Sequence, residues 1–307
     1  MKKVVITTGD PAGCGPFISV EAVNVLRKEK VDFFVVGDSK VLEKIPGYAR
    51  IKRRINLIDV NTWGIDKLRK ARISKLGGQA SLNYLDRGVR LLKKKRIKRL
   101  VTAPLSKEAV KLLLPQFCGH TEYLADYFKV KNYAMMMASE KIKVVPFSRH
   151  IPLREVSSVI KKKDFIKVVS LVYASLRDKF KIKKPKIAVA SVNPHAGVNT
   201  FLDKEEKEIA AGLQMFKAKT YGPYPGDTIF TQENLKKFDC VICAYHDQAM
   251  VPFKLISFKE GVNLTLGLPI IRTSPVHGVA YDLIKEGKRA FATSMVAAVK
   301  LAIEISI

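Results

Sequence analysis

The residues best suited to chemistry in this sequence are its histidines, all of which lie in polar segments typical of loops. They are His120, His150, His195, His246 and His277. A single histidine is more often a hydrogen-bonded structural residue than a ligand, but a full set in turn-like segments favours function. Loops that follow strands are where α/β proteins commonly place their sites.

Three of these histidines come soon after apolar runs that we predict to be strands. The runs and the histidines that follow them are Val144–Phe147 with His150, Ile187–Val192 with His195, and Cys240–Ala244 with His246. Imidazoles that converge from three strand ends are suited to hold a divalent ion with open coordination positions. No His-x-x-x-His pair is present, so the fold itself would have to assemble such a site.

Two carboxylates stand near these histidines in the sequence or in similar turn-like segments. Asp227 and Asp247 could orient the imidazoles or the bound ion as supporting groups. The competing interpretation is turn capping, for which aspartate is well suited.

A glycine-rich segment, Gly9–Pro16, follows the first predicted strand and precedes a helical pattern. Glycines let backbone N–H groups approach a ligand, and the start of a helix favours anions. The spacing fits neither the dinucleotide pattern G-x-G-x-x-G nor a Walker A loop. A tight turn between strand and helix therefore remains the simpler interpretation.

Polar residues are densest between Ala244 and Val279, within an apolar framework. Lys254 and Arg272 in this stretch are suited to bind a phosphate or a carboxylate, and arginine can do so with two parallel hydrogen bonds. Taken alone, either residue would more often lie on the surface.

Strand-like runs alternate with helical patterns along the whole chain. The predicted strands are Val4–Thr8, Phe33–Gly37, Ile55–Val60, Arg99–Thr102, Ala134–Ala138, Val144–Phe147, Ile187–Val192 and Cys240–Ala244. Helical spacing marks Leu82–Leu92 and, more loosely, Asp164–Phe180, and the apolar stretch Ser294–Ile305 is predicted to be a packed helix. This alternation predicts a parallel or mixed sheet covered by helices. No long linker divides the chain, so any two lobes must be interleaved in sequence.

Composition favours a folded, water-soluble protein in the cytoplasm. The 307 residues are 47% hydrophobic, and no secretory signal or apolar run long enough for a membrane span is evident. The net charge of +27 is compatible with nucleic-acid binding or with a lysine-rich solvated surface. Because the basic residues are spread widely and form no nucleic-acid motif, the solvated surface is favoured. The pair Cys240 and Cys243 could indicate redox or zinc chemistry, but its strand-like setting favours a structural role.

The sequence resembles the 4-hydroxythreonine-4-phosphate dehydrogenase family of pyridoxal phosphate biosynthesis. The resemblance extends over nearly the whole chain, in family order. It rests on Thr8–Gly13, Thr102–Lys107, Gly119–Glu122, Asn193–Gly197, Gly222–Thr228, Tyr245–Gln248, Gly261–Pro269 and Ile271–Ser274.

This resemblance implies roles for individual residues. Metal ligands would be His150, His195 and His246, with Asp227 and Asp247 in support. Substrate contacts would be His120, Thr121, Lys254, Asn263 and Arg272. The metal would be one divalent ion per site, for which three imidazoles suit zinc, with cobalt, manganese and magnesium left open. A homodimer with shared active sites is also implied.

The implied fold is the two-lobed α/β/α arrangement of the isocitrate and isopropylmalate dehydrogenases, with the active site in the interlobe cleft. The lobes would be residues 1–110 with 270–307, and residues 111–269. The segment Pro275–Asp282 is similar to the adenosine-binding loop of isopropylmalate dehydrogenases. By that similarity His277 would face the adenine and Asp282 the ribose, which favours NAD over NADP.

The implied reaction is the NAD(P)-dependent oxidation of 4-phosphohydroxy-L-threonine with decarboxylation to 3-amino-2-oxopropyl phosphate. A related enzyme acting on erythronate or threonate 4-phosphate would carry the same motifs. Val198 stands where the family has glutamate, Phe17 where it has an acidic residue, and Ala249 where it has glycine. These departures leave open a metal-binding scaffold without catalysis.

Overall fold

The computed structural model describes residues 1–197, 204–216 and 220–307, which form alternating strands and helices. The strands within these ranges are β1 (Lys2–Thr7), β2 (Val31–Gly37), β3 (Ile55–Asp59), β4 (Arg99–Thr102), β5 (Ala134–Ala138), β6 (Lys143–Pro146), β7 (Ile187–Ala190), β8 (Thr220–Tyr224), β9 (Cys240–Cys243), β10 (Val262–Leu266) and β11 (Ile271–Pro275). Their alternation with helices confirms the predicted α/β class.

The helices lie between and after the strands. They are α1 (Gly15–Val25), α2 (Ser39–Leu42), α3 (Tyr48–Ile51), α4 (Lys75–Lys95), α5 (Lys107–Lys111), α6 (His120–Tyr127), α7 (Val156–Val159), α8 (Lys162–Asp178), α9 (Lys204–Met215), α10 (Gln232–Leu235), α11 (His246–Ser257), α12 (Tyr281–Lys285) and α13 (Thr293–Glu304). Over the described ranges, none of these helices combines the length and apolarity needed to cross a bilayer.

The chain divides into two compact units that are interleaved in sequence. Unit 1 comprises Met1–Lys129 and Leu268–Glu304, and unit 2 comprises Val130–Gly267 and Ile305–Ile307. The chain therefore enters unit 2 after Lys129, whereas the sequence interpretation placed that crossing after residue 110.

Unit 1 contains a parallel arrangement of strands in the order β3-β2-β1-β4-β11. Val4, Val5 and Ile6 of β1 are fully buried, because helices cover both faces of a parallel sheet. All five strands point the same way, so the loops that leave their carboxyl ends meet at one edge. The segments after β1, β4 and β11 are thereby brought together.

The long helix α4 shows how unit 1 is covered. Its N-terminus is capped by Ser74, whose side chain accepts a hydrogen bond from the Gly77 N–H at 3.0 Å. Tyr84, Leu85 and Val89 recur at helical spacing and are buried, while lysines occupy the exposed last turn. The positive charges of these lysines also stabilise the helix, because they lie at the negative, C-terminal end of its dipole.

Unit 2 has the strand order β10-β5-β6-β9-β7-β8. Its first three strands pair in antiparallel fashion, and β6, β9, β7 and β8 are parallel. The carboxyl ends of β6, β9 and β7 consequently lie side by side at one edge. Cys240 and Cys243 are buried in β9 with free thiols, and burial raises the pKa of the Cys240 thiol to about 12. A structural role for this pair is thus supported over redox or zinc chemistry.

Each strand predicted from the sequence is present, with ends that differ by at most two residues. Three strands were not predicted: β8, β10 and β11. Each contains residues that interrupt the apolar run by which strands were predicted, such as Asn263 in β10 and Arg272 in β11. The three predicted helical segments correspond to α4, α8 and α13.

Candidate active-site residues

Unit 2 brings the three predicted metal ligands to neighbouring strand ends. His150 follows β6, His246 follows β9 and His195 follows β7, and these strands are adjacent in the order β6-β9-β7. Because all three are parallel, their following loops leave the same edge. The topology therefore supports the convergence that the sequence suggested.

His150 and His246 lie next to each other. Their ring centroids are 5.6 Å apart, and their planes are tilted by 44°. The Nδ1 atom of His246 is 2.6 Å from Oδ1 of Asp247, which leaves Nε2 for a ligand. An imidazole held by a carboxylate is the usual form of a metal-binding histidine, and zinc lies about 2.0–2.1 Å from such a nitrogen. The spacing and the donor chemistry of this pair fit a shared divalent ion.

His195 lies at the next strand end with a left-handed backbone, φ 54°. The turn before it is fixed by the buried Glu206, whose Oε1 accepts hydrogen bonds from the N–H groups of Val192 and Asn193, each at 2.9 Å. Across the described ranges, no three His, Cys, Asp or Glu side chains stand close enough together to hold an ion. The structure thus pairs two of the predicted ligands, His150 and His246, while His195 follows the adjacent strand β7. Val198, the substituted position after this motif, lies outside the described residues.

A cavity of about 770 Å³ opens beside His195 in unit 2. Asp227 and Asp247, the predicted supporting carboxylates, both line it. Gln248 also lines it and is fixed in place, since its Nε2 donates to the Ser191 carbonyl at 2.8 Å and its Oε1 accepts from the Ala244 N–H at 2.7 Å. Apolar lining is provided by Val251, Leu255 and Phe230.

Unit 1 holds the predicted anion-binding arginine. Arg272 on β11 is only 2% exposed, and its Nε and Nη2 donate to Oγ1 of Thr102 at 3.2 and 2.6 Å. Burial lowers the pKa of Arg272 to about 10, which the charge of Glu122 partly opposes. The guanidinium therefore stays positive at neutral pH and is held in one position.

His120 begins helix α6 in the same unit. Its pKa lies well below the usual value, first because of burial and then because of the positive charges of Arg272 and Lys107. The imidazole is accordingly neutral at pH 7 and can donate or accept a hydrogen bond beside two cations. Thr121, a further predicted contact, is half-buried in the first turn of α6.

This lowered pKa predicts a pH-dependent stability. The unfolded chain binds a proton at His120 near pH 6.5, whereas the folded chain does so only at lower pH. Stability contributed by the neutral ring is therefore complete above pH 6.5 and is lost as the pH falls below that value. We expect the melting temperature of wild type to fall more steeply between pH 6.5 and 5 than that of His120→Gln. Parallel melting curves of the two proteins would contradict the assignment.

The other predicted substrate contacts lie in unit 2. Lys254 is exposed on α11. Asn263 is half-buried on β10, and its Oδ1 has no hydrogen-bond partner in the part of the chain that the structure describes. A buried amide oxygen without a partner costs stability, which is expected where a ligand supplies the missing donor.

The glycine-rich segment of unit 1 is attached to the predicted cofactor loop. Asp10 is fully buried and accepts hydrogen bonds from the Ala12 N–H at 2.8 Å and from the Tyr281 hydroxyl at 2.5 Å. Burial raises the pKa of its carboxyl group. The Cys14 N–H donates to the Val279 carbonyl at 2.9 Å, which ties the two loops together by their backbones. Sequence reasoning missed Asp10 and Tyr281, since only the fold places them together.

The predicted cofactor residues, His277 and Asp282, belong to the same segment as Val279 and Tyr281. His277 donates from Nδ1 to the Gly278 carbonyl at 3.0 Å, and its buried Nε2 has no partner among the described residues. Asp282 is exposed at the start of α12. A buried ring nitrogen without a partner is a position where a ligand can supply the missing hydrogen bond.

Comparison with known proteins decides the family. The profile of a family described as pyridoxal phosphate biosynthetic protein PdxA matches residues 18–302. The chain belongs to this family. The recognition made from the sequence motifs is thereby confirmed, together with the prediction of an oxidoreductase that acts with a nicotinamide cofactor on a small phosphorylated substrate.

Members of the PdxA family with different names match almost the whole chain. A 4-hydroxythreonine-4-phosphate dehydrogenase of Desulforapulum autotrophicum is 38% identical, over 97% of this chain and 93% of that protein. A D-threonate 4-phosphate dehydrogenase of Salmonella typhimurium is 34% identical, over 99% of each chain. The crystal structure of a 4-hydroxythreonine-4-phosphate dehydrogenase from Klebsiella pneumoniae gives a TM-score of 0.83 at 32% identity, over 99% of both chains.

A more distant likeness bears on the fold alone. The isocitrate dehydrogenase of Methylococcus capsulatus gives a TM-score of 0.53 at 15% identity, covering 99% of this chain and 85% of that one. The predicted relation of the PdxA fold to the isocitrate dehydrogenase fold is confirmed.

Proposed function

We propose that this protein oxidises 4-phosphohydroxy-L-threonine with NAD or NADP in the biosynthesis of pyridoxal phosphate. The secondary alcohol loses a hydride to the nicotinamide and a proton to solvent. The resulting β-keto acid then loses CO₂, and the enolate that remains takes up a proton from solvent at carbon to give 3-amino-2-oxopropyl phosphate. The observation that carries this proposal is Arg272, buried and held by Thr102 beside the neutral His120, in a chain of the PdxA family.

The unit 1 residues serve the anionic substrate. Arg272 offers a fixed planar cation to a phosphate or carboxylate, and such paired contacts are stronger than neutral hydrogen bonds. His120 remains neutral, so it can accept or donate without adding repulsion between cations. Thr121, Lys254 and Asn263 are proposed as the further substrate contacts.

His150 and His246 are proposed to hold a divalent ion, with His195 as the third ligand. The fit rests on the paired rings and on the Asp247 carboxylate that fixes His246. When bound, such an ion polarises the substrate oxygen and thereby eases loss of its proton. Asp227 and Asp247 are proposed to orient the ligands, and neutral imidazoles suit zinc best.

We also propose the cofactor contacts, the assembly and the location of the protein. His277 would face the adenine and Asp282 the ribose hydroxyls, which favours NAD over NADP.

Helix α11 exposes Val251 and Leu255, of which Leu255 is 82% exposed, and Phe258 directly after the helix is exposed as well. An apolar face of this kind is suited to the predicted homodimer with shared active sites. The protein would act in the cytoplasm.

A second candidate substrate is D-threonate 4-phosphate or a similar four-carbon sugar-acid phosphate. The Salmonella typhimurium relative named for that activity is 34% identical over 99% of both chains, which is close to the identity of the relatives named for the first activity. Both substrates carry the same phosphate and secondary alcohol. They differ in the group at the neighbouring carbon.

The proposal is tested by following reduced-cofactor absorbance with each substrate, both nicotinamide cofactors and added divalent metals. A larger kcat/KM with 4-phosphohydroxy-L-threonine than with the sugar-acid phosphates is expected, as is loss of turnover on chelation. Preference for D-threonate 4-phosphate would select the second candidate. Absence of turnover with every substrate and metal would reject the proposed function and favour a scaffold without catalysis.

A further inference from the structure

The loop after β4 contains a cation that has no role so far. Thr102, at the end of β4, accepts the hydrogen bonds of Arg272, and Lys107 follows five residues later at the start of α5. Between them Ser106 is 2% exposed and caps α5, since its Oγ accepts the Ala109 N–H at 3.0 Å. The backbone that presents Lys107 is thus fixed relative to Arg272.

The Lys107 side chain extends over the backbone that precedes His120. A Cβ atom placed on Gly119 would lie 3.1 Å from Cε of Lys107 and 3.4 Å from its Nζ. Gly119 has a φ of 149°, which residues with a side chain rarely adopt. Glycine therefore permits this backbone conformation, and its lack of a Cβ atom leaves space for the Lys107 side chain. The ammonium group therefore lies beside the start of α6.

Several charged side chains lie around this point. Lys107 and Arg272 both act on the His120 imidazole and lower its pKa, after the larger effect of burial. Glu122 is a nearby acid, with Oε2 3.2 Å from the same point on Gly119, and the charge of Lys107 also acts on the adjacent Glu108. Among the described residues Lys107 forms no ion pair within 4.0 Å. Lys107 and Arg272 are thus two cations close to one neutral imidazole, and the acids near them are Glu122 and Glu108.

We propose that Lys107 binds the phosphate group of the substrate together with Arg272. A phosphate monoester carries two negative charges near neutral pH, which matches two cations better than a carboxylate does. Lysine contributes a compact charge and arginine a planar pair of donors, a division of labour seen at phosphate sites. This inference rests on the proposed function for its substrate, but it predicts phosphate binding independently of turnover.

The test compares Lys107→Gln with Lys111→Gln. Both lysines are exposed on the same short helix, so both variants lose one charge from α5. Inorganic phosphate is titrated into each full-length protein by calorimetry, and the KM of the phosphorylated substrate is measured. Lys107→Gln is expected to weaken phosphate binding and to raise KM by about 10- to 100-fold, with a smaller change in kcat. Lys111→Gln is expected to change both by less than about twofold.

A structural role is distinguished by two further measurements. Lys107→Arg should recover most of the phosphate affinity, and the pKa of His120, followed by NMR, should rise in Lys107→Gln because one cation is removed. Equal phosphate affinities in the Lys107→Gln and Lys111→Gln proteins, with unchanged melting temperatures, would overturn the inference. Should wild type bind phosphate through Lys107 but turn over no substrate, the proposed function would fail while this site stands.

Discussion

Replacing Arg272 with glutamine is expected to lower kcat/KM for the phosphorylated substrate by about 10²- to 10³-fold, or ~3–4 kcal/mol. The guanidinium is buried, positive at neutral pH and fixed by two hydrogen bonds to Thr102. Glutamine keeps a polar end but loses the charge and the planar fork. Since the anion is bound in both the ground state and the transition state, most of the loss should be in KM.

Arg99→Gln is the matched control for this variant. Arg99 is half-buried on β4, donates from Nε to the Ala302 carbonyl at 2.8 Å, and has a pKa lowered by burial. It lies at the opposite end of the strand from Thr102, so its loss should reduce the melting temperature without changing KM. An Arg272→Gln protein that loses stability to the same extent but keeps its KM would show that Arg272 is structural.

Replacing His246 with alanine is expected to abolish metal-dependent turnover and tight binding of the divalent ion. The ring pairs with His150 at 5.6 Å, and its Nδ1 is held by Asp247, so its removal takes away an oriented ligand. The side chain of His246 is 39% exposed, so the free energy of unfolding should change little. Metal affinity is measured by competition with a chromophoric chelator, alongside the rate of cofactor reduction.

Two further variants serve as comparisons for the metal affinity of His246→Ala. Asp247→Asn should weaken metal binding by about 10- to 100-fold, because it disturbs the orientation of the ligand but not the ligand itself. His277→Ala should leave metal affinity unchanged, since His277 lies in unit 1 with the proposed cofactor residues. If His246→Ala bound zinc as tightly as His277→Ala, the proposed metal site would be wrong.

The sequence was sufficient to predict most strands because buried parallel strands are continuous apolar runs. Val4–Ile6 and Cys240–Cys243 are examples in which burial on both faces removes any polar alternation. The strand β11 escaped prediction because Arg272, Thr273 and Ser274 are buried polar residues. Arg272 donates to Thr102 and Thr273 donates to the Ala298 carbonyl, and since both partners are distant in sequence, no local pattern could indicate these bonds.

The candidate site was predictable as a set of residues but not as an arrangement. Motifs identified His150, His195 and His246, yet only the strand order β6-β9-β7 shows that their loops are adjacent. The same limit applies to Lys107, whose motif was recognised without a role. Its relation to His120 depends on a close approach across Gly119, which spacing in the sequence does not show.

The interleaving of the two units bears on how the protein is made. Unit 2 is almost continuous from Val130 to Gly267, whereas unit 1 needs Leu268–Glu304 to supply β11 and α13. During translation the ribosome therefore releases nearly all of unit 2 while unit 1 still lacks the strand that pairs with β4. Arg272 arrives on that strand, so a nascent chain lacks the arginine proposed to bind phosphate until unit 2 has been synthesised.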